Sequence, residues 1–315
     1  HTLAYFRSDS GPELDRILTE SVAGFMSEGL VRLERVAQDG VRVRAEAGKS
    51  SFHRRERLVQ MAEEAQAHVE RLEKELHEDP AASERRIQAA RMRAAEARVE
   101  RVRRALKARD EVATAREKDS RHRARAEKAR GSTTDPDARI MRMGDGGSHA
   151  AYNVQFATDV ASRLIVGVDA TNAGNDGGQM APMVEQIEQR AGAAPEEMLV
   201  DGGFVKHADI EAAASKGTKT CSPVPTHKND KKGPHEPHDG DGSGVIEWRA
   251  RMATPEAKEV YKLRASTAEW TNALARNRGL RRVFVRGMER VRAILLWFAL
   301  AHNLMASRGG VRIAA

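Results

Sequence analysis

Apolar residues divide the chain into three textures. From Pro12 onward, Leu14, Ile17, Leu18, Val22 and Phe25 recur at helical spacing, which predicts an N-terminal helical region over residues 1–29. Residues 30–44 change period: Leu30, Val31 and Leu33 lead to Asp39-Gly40, and then Val41 and Val43 alternate with Arg42 and Arg44. This predicts two short strands around an Asp-Gly turn, with Asp39 at the end of the first.

The second texture is a block rich in Ala, Arg and Glu. Leu58, Ala62, Ala65, Val69, Leu72 and Leu76 follow a 4-3-4-3-4 spacing, and Met92, Ala95, Val99, Val102 and Leu106 a 3-4-3-4 spacing. Between them Asp79-Pro80 breaks the helix, because proline lacks an amide donor and restricts its neighbour. Residues 52–130 therefore predict a helical hairpin whose arms pack as a short antiparallel coiled coil.

From Gly131 the pattern becomes αβ. Tyr152, Val154 and Phe156 alternate as in a strand, and residues 164–168 form an apolar run suited to a central one. A helix over 175–190, a strand over 198–200 ending at Asp201-Gly202-Gly203, a helix over 210–214 and a strand over 220–224 follow. Residues 226–244 carry no core former and predict a mobile loop; the spacing of His227, His235, His238, Asp239 and Asp241 is too irregular for a metal site. Two helices close the chain, one over 254–276 and one through Val291, Leu295, Leu296, Phe298, Leu300 and Leu304. With the hairpin set aside, residues 30–51 and 131–308 form one α/β core of strands with flanking helices.

Charge adds a partner to this picture. The 315 residues carry 53 Lys+Arg against 46 Asp+Glu, a net +7, which favours a polyanion through counterion release. The excess is local: residues 98–130 hold 13 basic against 6 acidic residues, whereas 54–79 hold 5 against 8. Two readings of Arg101, Arg103, Arg104 and Lys107 stay open, a phosphate-tracking arm or a solvated face paired with its acidic neighbour. The lone Cys221 excludes an internal disulfide and reads as a packed strand residue in a reducing compartment. No apolar run is long enough to span a membrane, and no secretory signal is present. The start at His1, without methionine, reads as a fragment lacking its upstream part.

Three carboxylates carry the candidate chemistry. Phosphodiester cleavage at neutral pH needs a strong nucleophile and neutralised charge at the attacking and leaving oxygens. Two hard divalent ions held by acidic side chains supply both. Asp39 and Asp201 stand at strand ends and Glu269 within a helix, where sequence-distant acids can converge; a turn, a strand exit or a Glu269–Arg276 helix-face pair would explain each one alone. Along that helix Tyr261, Arg264, Glu269 and Arg276 advance by steps that can share one side. Trp248, next to Arg249 and Arg251, is a candidate for stacking on an unpaired base, with core packing as the alternative. Trp270 and Trp297 read as core.

The motifs resemble a known family. The run Gly147-Ser148-His149-Ala150-Ala151-Tyr152-Asn153-Val154-Gln155, the Leu199-Val200-Asp201-Gly202-Gly203-Phe204 segment and the Tyr261–Arg264–Glu269–Arg276 series are similar to bacterial insertion-sequence transposases of the DDE class. In this chain Arg264 and Glu269 stand one residue further apart than in related subgroups, and Arg276 replaces a common lysine. The resemblance implies a ribonuclease-H-like fold with the hairpin as an insertion. It also implies catalytic and metal-binding roles for Asp39, Asp201 and Glu269, and two Mg²⁺ ions, with Mn²⁺ as a substitute. Tyr261, Arg264 and Arg276 are expected to contact DNA. Cleavage at inverted-repeat ends and strand transfer into target DNA, by a homodimer in the bacterial cytoplasm at the nucleoid, complete the expectation. The competing reading is a non-catalytic DNA-binding or coiled-coil scaffold left by a decayed transposase.

Overall fold

A computed structural model of the chain describes residues 6, 9–78, 85–118, 120, 122–226 and 232–310. Two compact units result: His1–Arg44 with Tyr152–Ala315, and Ala45–Ala151. The first unit opens with α1 (Gly11–Ser27), which has proline in its first turn and buries Leu14, Leu18 and Val22 while Ile17 stays exposed. Strand β1 (Arg35–Arg44) then runs unbroken through Asp39-Gly40. The expected hairpin turn is therefore absent and Asp39 lies inside a strand. Gly40 has no left-handed φ; it is needed for space, because a Cβ there would come within 2.1 Å of Asp176 Oδ1 and 2.7 Å of Gln155 Nε2.

The second unit contains β2 (Phe52–His53), α2 (Arg55–Glu78), α3 (Arg85–Lys118), β3 (Gly131–Ser132) and β4 (Arg139–Arg142). The two helices lie side by side and antiparallel: Arg55 approaches Asp110 at 3.9 Å near one end, and Arg103 donates to Gln66 further along. Ala65, Val69, Ala95 and Val99 form their buried seam, with Leu72 and Met92 packed against it. These are apolar positions that the spacing marked. The break expected at Asp79-Pro80 lies outside the described residues. Short strands β2 and β3 pair antiparallel at the base of the helices. There Gly131 is indispensable, since a Cβ would meet the Ala105 carbonyl oxygen at 2.0 Å.

Strand β5 (Ser148–Asp159) begins in the second unit, where it pairs with β4, and continues into the first. From Ala150 to its end it is buried on both faces. Next come β6 (Ile165–Thr171), α4 (Met180–Ala191), β7 (Glu197–Leu199), α5 (His207–Ser215) and β8 (Lys219–Cys221). The sheet order β6-β5-β1-β7-β8 is mixed. Strand β5 is antiparallel to β6, and to β1 as well, since Val160 N donates to Arg35 O near the start of β1 and Ala45 N to Ala150 O just past its end. Strands β1, β7 and β8 are parallel.

The closing helices are α6 (Ser243–Met252), α7 (Pro255–Arg264), a π-helical turn (Ala265–Glu269), α8 (Trp270–Asn277) and α9 (Met288–Gly310). Helix α9 packs on α1 and β6 and buries Val291, Ala293, Leu295 and Ala299. Each fully buried Leu or Val side chain there contributes on the order of 2 kcal/mol. Its Asn303 amide bonds both Ile165 N and Ile165 O, at 2.7 and 2.8 Å, and so occupies the outer edge of β6.

Two further expectations change. The part of 226–244 that is described is tied down by the Arg249–Asp241 ion pair at 2.7 Å, with side chains 8% and 3% exposed, and by Arg249 donating to the Pro234 carbonyl. A buried charge pair thus takes the place of apolar anchors and the segment from 232 is not a free loop; His227 lies outside the described residues. Trp270 is 42% exposed and touches His302 edge-on, because the buried face of its helix runs through Thr267, Thr271, Asn272 and Ala275.

Candidate active site

Parallel pairing brings the two aspartates together. Arg35 is level with Glu197 and Ala37 with Leu199, so the same offset, continued two residues further, puts Asp39 level with Asp201 on one face of neighbouring chain segments. Asp201 lies just beyond the end of β7, in extended backbone. Its Oδ1 accepts from Gly203 N at 2.8 Å and caps a 3-10 turn (Gly202–Phe204). Its carbonyl accepts from Ser222 Oγ. One carboxylate oxygen therefore fixes the local turn and the other is left to face the site.

The third carboxylate arrives on the helix. Thr254 caps α7 by accepting from Ala257 N, and Pro255 takes its first position. Arg264 and Glu269 are five residues apart, about 140° round a regular α-helix. The π turn over Ala265–Glu269 closes with the wider i→i+5 period and brings both onto one side. Arg163 pins this turn, donating to the Ser266 carbonyl and, at 2.7 Å, to Thr267 Oγ1. The residue that lengthens the motif is thus absorbed in the backbone while the face is kept.

All three carboxylates meet at Arg264. Its Nη2 lies 3.3 Å from Asp39 Oδ1 and 3.6 Å from Asp201 Oδ2, and its Nη1 lies 3.1 Å from Glu269 Oε1. The arginine side chain is 10% exposed, Asp39 16%, Asp201 40% and Glu269 59%, so the cluster opens from a buried floor to solvent. Burial pushes the Asp39 carboxyl above its ordinary range; Arg264 opposes that, and Asp201 and Asp176 add to it. Burial also raises the Tyr261 phenol, which feels Arg264 and all three carboxylates.

Asn272 completes the floor by donating Nδ2 to Asp39 Oδ2 at 2.9 Å. Asn272 stands three residues after Glu269 on the same helical face, a spacing that marks it in the sequence as a neighbour of the carboxylate. A polar layer surrounds Gly40. There Asn153 and Gln155 each donate to Asp176 Oδ1 at 2.7 Å, and Gln38 donates to Gln155.

The donor set fits hard divalent cations: three carboxylates, and the buried Asn272 Oδ1 with no hydrogen-bond partner among the described residues. With the guanidinium between them, no three His, Cys, Asp or Glu side chains among the described residues are drawn together tightly enough to hold one ion. Arg264 supplies the positive charge in this arrangement.

The remaining candidates divide. Arg276 is exposed on α8, and Glu269 pairs with Arg264 rather than with it. Trp248 is 2% exposed and its indole N–H donates to the Ser222 carbonyl at 3.1 Å. Its ring is therefore enclosed and cannot stack on a base, which corrects that expectation. In the second unit Arg104 pairs with Asp137 at 3.2 Å and Arg103 donates to Gln66, so half of the predicted arm charges have protein partners. Cys221 is buried on β8, and burial raises its thiol.

A mixed α/β sheet with flanking helices and a floor of acidic side chains defines a class compatible with ribonuclease-H-like phosphoryl-transfer domains. The profile of the family described as "Transposase DDE domain" matches residues 129–304, and the chain belongs to that family. Members act in DNA transposition and recombination, and such domains generally use divalent metals. No curated protein and no solved structure matches the chain. The match includes Asp201 and Glu269 but begins after Asp39. No helix among the described residues is long and apolar enough to cross a membrane.

Proposed function

We propose that the chain is the catalytic part of a DNA transposase that cleaves phosphodiester bonds at the ends of a mobile element and joins them to target DNA. Its core is ribonuclease-H-like, with the helical pair as an insertion between the first strand and the second, β1 and β5. Asp39, Asp201 and Glu269 are its metal-binding carboxylates, and the observation that supports this most is their convergence on one guanidinium in a chain of this family.

Bound Mg²⁺ ions would lower the pKa of a water and neutralise charge on the phosphodiester oxygens. Asp39, held by Asn272 and β1, would hold such an ion from the buried side, and Asp201 and the more exposed Glu269 would hold it from the solvent side. With metal bound, Arg264 would no longer be needed to balance the carboxylates and could contact a phosphate, as could Tyr261 and Arg276 on the same helical segment. Water adds to phosphorus and the 3′-oxygen leaves as a hydroxyl. That hydroxyl then attacks a target phosphodiester and expels the target's own 3′-oxygen, so no covalent protein intermediate forms. Two copies on paired element ends would carry out both joinings.

The test is nicking of duplex DNA in Mg²⁺ beside binding in Ca²⁺, for wild type and Glu269→Gln. The exchange keeps shape but removes the charge a hard cation requires. Wild type should nick, and the variant should fall by about 10³-fold or more with DNA binding retained. Nicking retained in Glu269→Gln would make Glu269 a helix-face residue only. DNA binding without nicking in wild type would favour the scaffold reading.

A further inference from the structure

Within the second unit a cavity of about 360 Å³ opens between the end of α3 and the base strands. Five cationic side chains line it: Lys49, Arg116, Lys128, Arg130 and Arg139. They come from the turn before β2, the last turns of α3, the segment after it, and β4. The lining includes no acidic residue. Phe52, Val112 and Ile140 add apolar surface to the lining, and Ser148 is its one hydroxyl-bearing residue.

The cations are crowded at a cost. Arg116 is half-buried and its guanidinium is pushed down by burial and then by Arg125, whose backbone carbonyl it bonds at 3.0 Å. His53, just outside, is lowered by burial and then by repulsion from Arg57 and Arg130. Arg139 is held in place by the Pro136 and Ala138 carbonyls and by Glu111 at 3.3 Å. Arg104 on the arm pairs with Asp137, whereas the exposed Lys49, Lys128 and Arg130 face no acidic side chain in the cavity lining. Positive charge gathered in a concave site focuses the field on an anion.

We propose that this cavity is a phosphate-binding site for the DNA backbone, a contact separate from the carboxylate centre that anchors duplex through the helical unit. Given the Ser148 hydroxyl and fixed Arg139, the ligand is a phosphodiester oxygen pair read without base contacts. The inference rests on the DNA-processing function proposed above.

The test is a salt titration of duplex binding by the full chain in Ca²⁺, using duplexes of two unrelated sequences. Three proteins are compared: wild type, Lys49→Gln/Lys128→Gln/Arg130→Gln, and the charge-conserving Lys49→Arg/Lys128→Arg/Arg130→Lys. The glutamine triple should bind at least about 10-fold more weakly on both sequences, with the slope of log K against log salt reduced by about two to three. The charge-conserving triple should match wild type. An unchanged slope in the glutamine triple overturns the site. So does a thermal shift of wild type by millimolar inorganic phosphate with duplex binding unaffected, which would make it a small-anion site, or competition by an acidic peptide but not by duplex. A wild type that nicks DNA while the glutamine triple binds normally sinks only the cavity; a wild type that binds no duplex sinks the proposed function with it.

Discussion

The carboxylate centre and the helical pair handle charge in opposite ways. In the first unit four charged residues from three distant stretches of chain pack round one another, each fixed by a specific bond, with opposite signs interleaved within a few ångströms. In the second unit like charges gather along α3 and the segment after it, mostly exposed, with partners for some and none lining the cavity for others. The first arrangement is a partly buried network in which one cation balances three carboxylates, and under the function proposed above a metal would take that cation's place. The second is a standing positive surface. A single substitution should therefore be drastic in the centre and mild on the helices.

Removing the central cation gives the largest expected effect on stability. Arg264→Gln leaves Asp39, Asp201 and Glu269 facing each other unneutralised, and metal-free protein should lose about 3 kcal/mol, the low end for breaking a buried network because Glu269 is half exposed. Millimolar Ca²⁺ should restore much of it by binding the folded state alone. Arg103→Gln in the helical unit should change stability by less than about 0.5 kcal/mol. Equal losses in thermal denaturation of the two variants would erase the distinction between the regions.

A smaller effect has the opposite sign. Because burial raises the folded carboxyl of Asp39 above 3.8, folding takes up protons there, and the associated stability is present at low pH and lost as pH rises through the folded value. At neutral pH ionised Asp39 is a burden on the metal-free fold. Asp39→Asn should therefore match or exceed wild type in unfolding midpoint at pH 7.5, and the advantage should shrink toward pH 4. An advantage that grew on acidification would contradict the burial of that charge.

The smallest effect concerns the π turn. Deleting Ser266 should let Ala265–Glu269 become regular α-helix and return Arg264 and Glu269 to an i,i+4 pair, which again shares a face. Nicking should stay within about 10-fold of wild type. A deletion of Leu274 in α8, where no π turn can absorb it, should abolish it. Loss of activity in both deletions would mean the extra residue has a role of its own.

The helical pair was legible in sequence because its seam repeats locally: Ala65, Val69, Ala95 and Val99 can be read from spacing alone. The strand order around β1 was not, and Asp39-Gly40 illustrates why. An Asp-Gly pair between alternating residues is a hairpin signal, yet here the glycine answers a tertiary demand, the approach of Asp176 from the segment after β6. The acidic residues themselves were found by motif. What brings them together, the shared register of β1 and β7, and the hydrogen bonds of Asn272 and Arg163, depends on pairings between residues far apart in the chain. Trp248 and Trp270 exchanged places for the same reason, since the π turn and the neighbouring packing decide which helix face is buried.

The most direct measurement is titration of the DNA-free chain with Mn²⁺, followed by calorimetry and by the loss of the free-ion paramagnetic resonance signal. Wild type should bind Mn²⁺, Arg264→Gln should bind it more tightly because the competing guanidinium is gone, and Asp39→Asn and Asp201→Asn should each bind it at least about 10-fold more weakly. Mn²⁺ binding that is unchanged in both aspartate variants would contradict the carboxylate centre as a metal site.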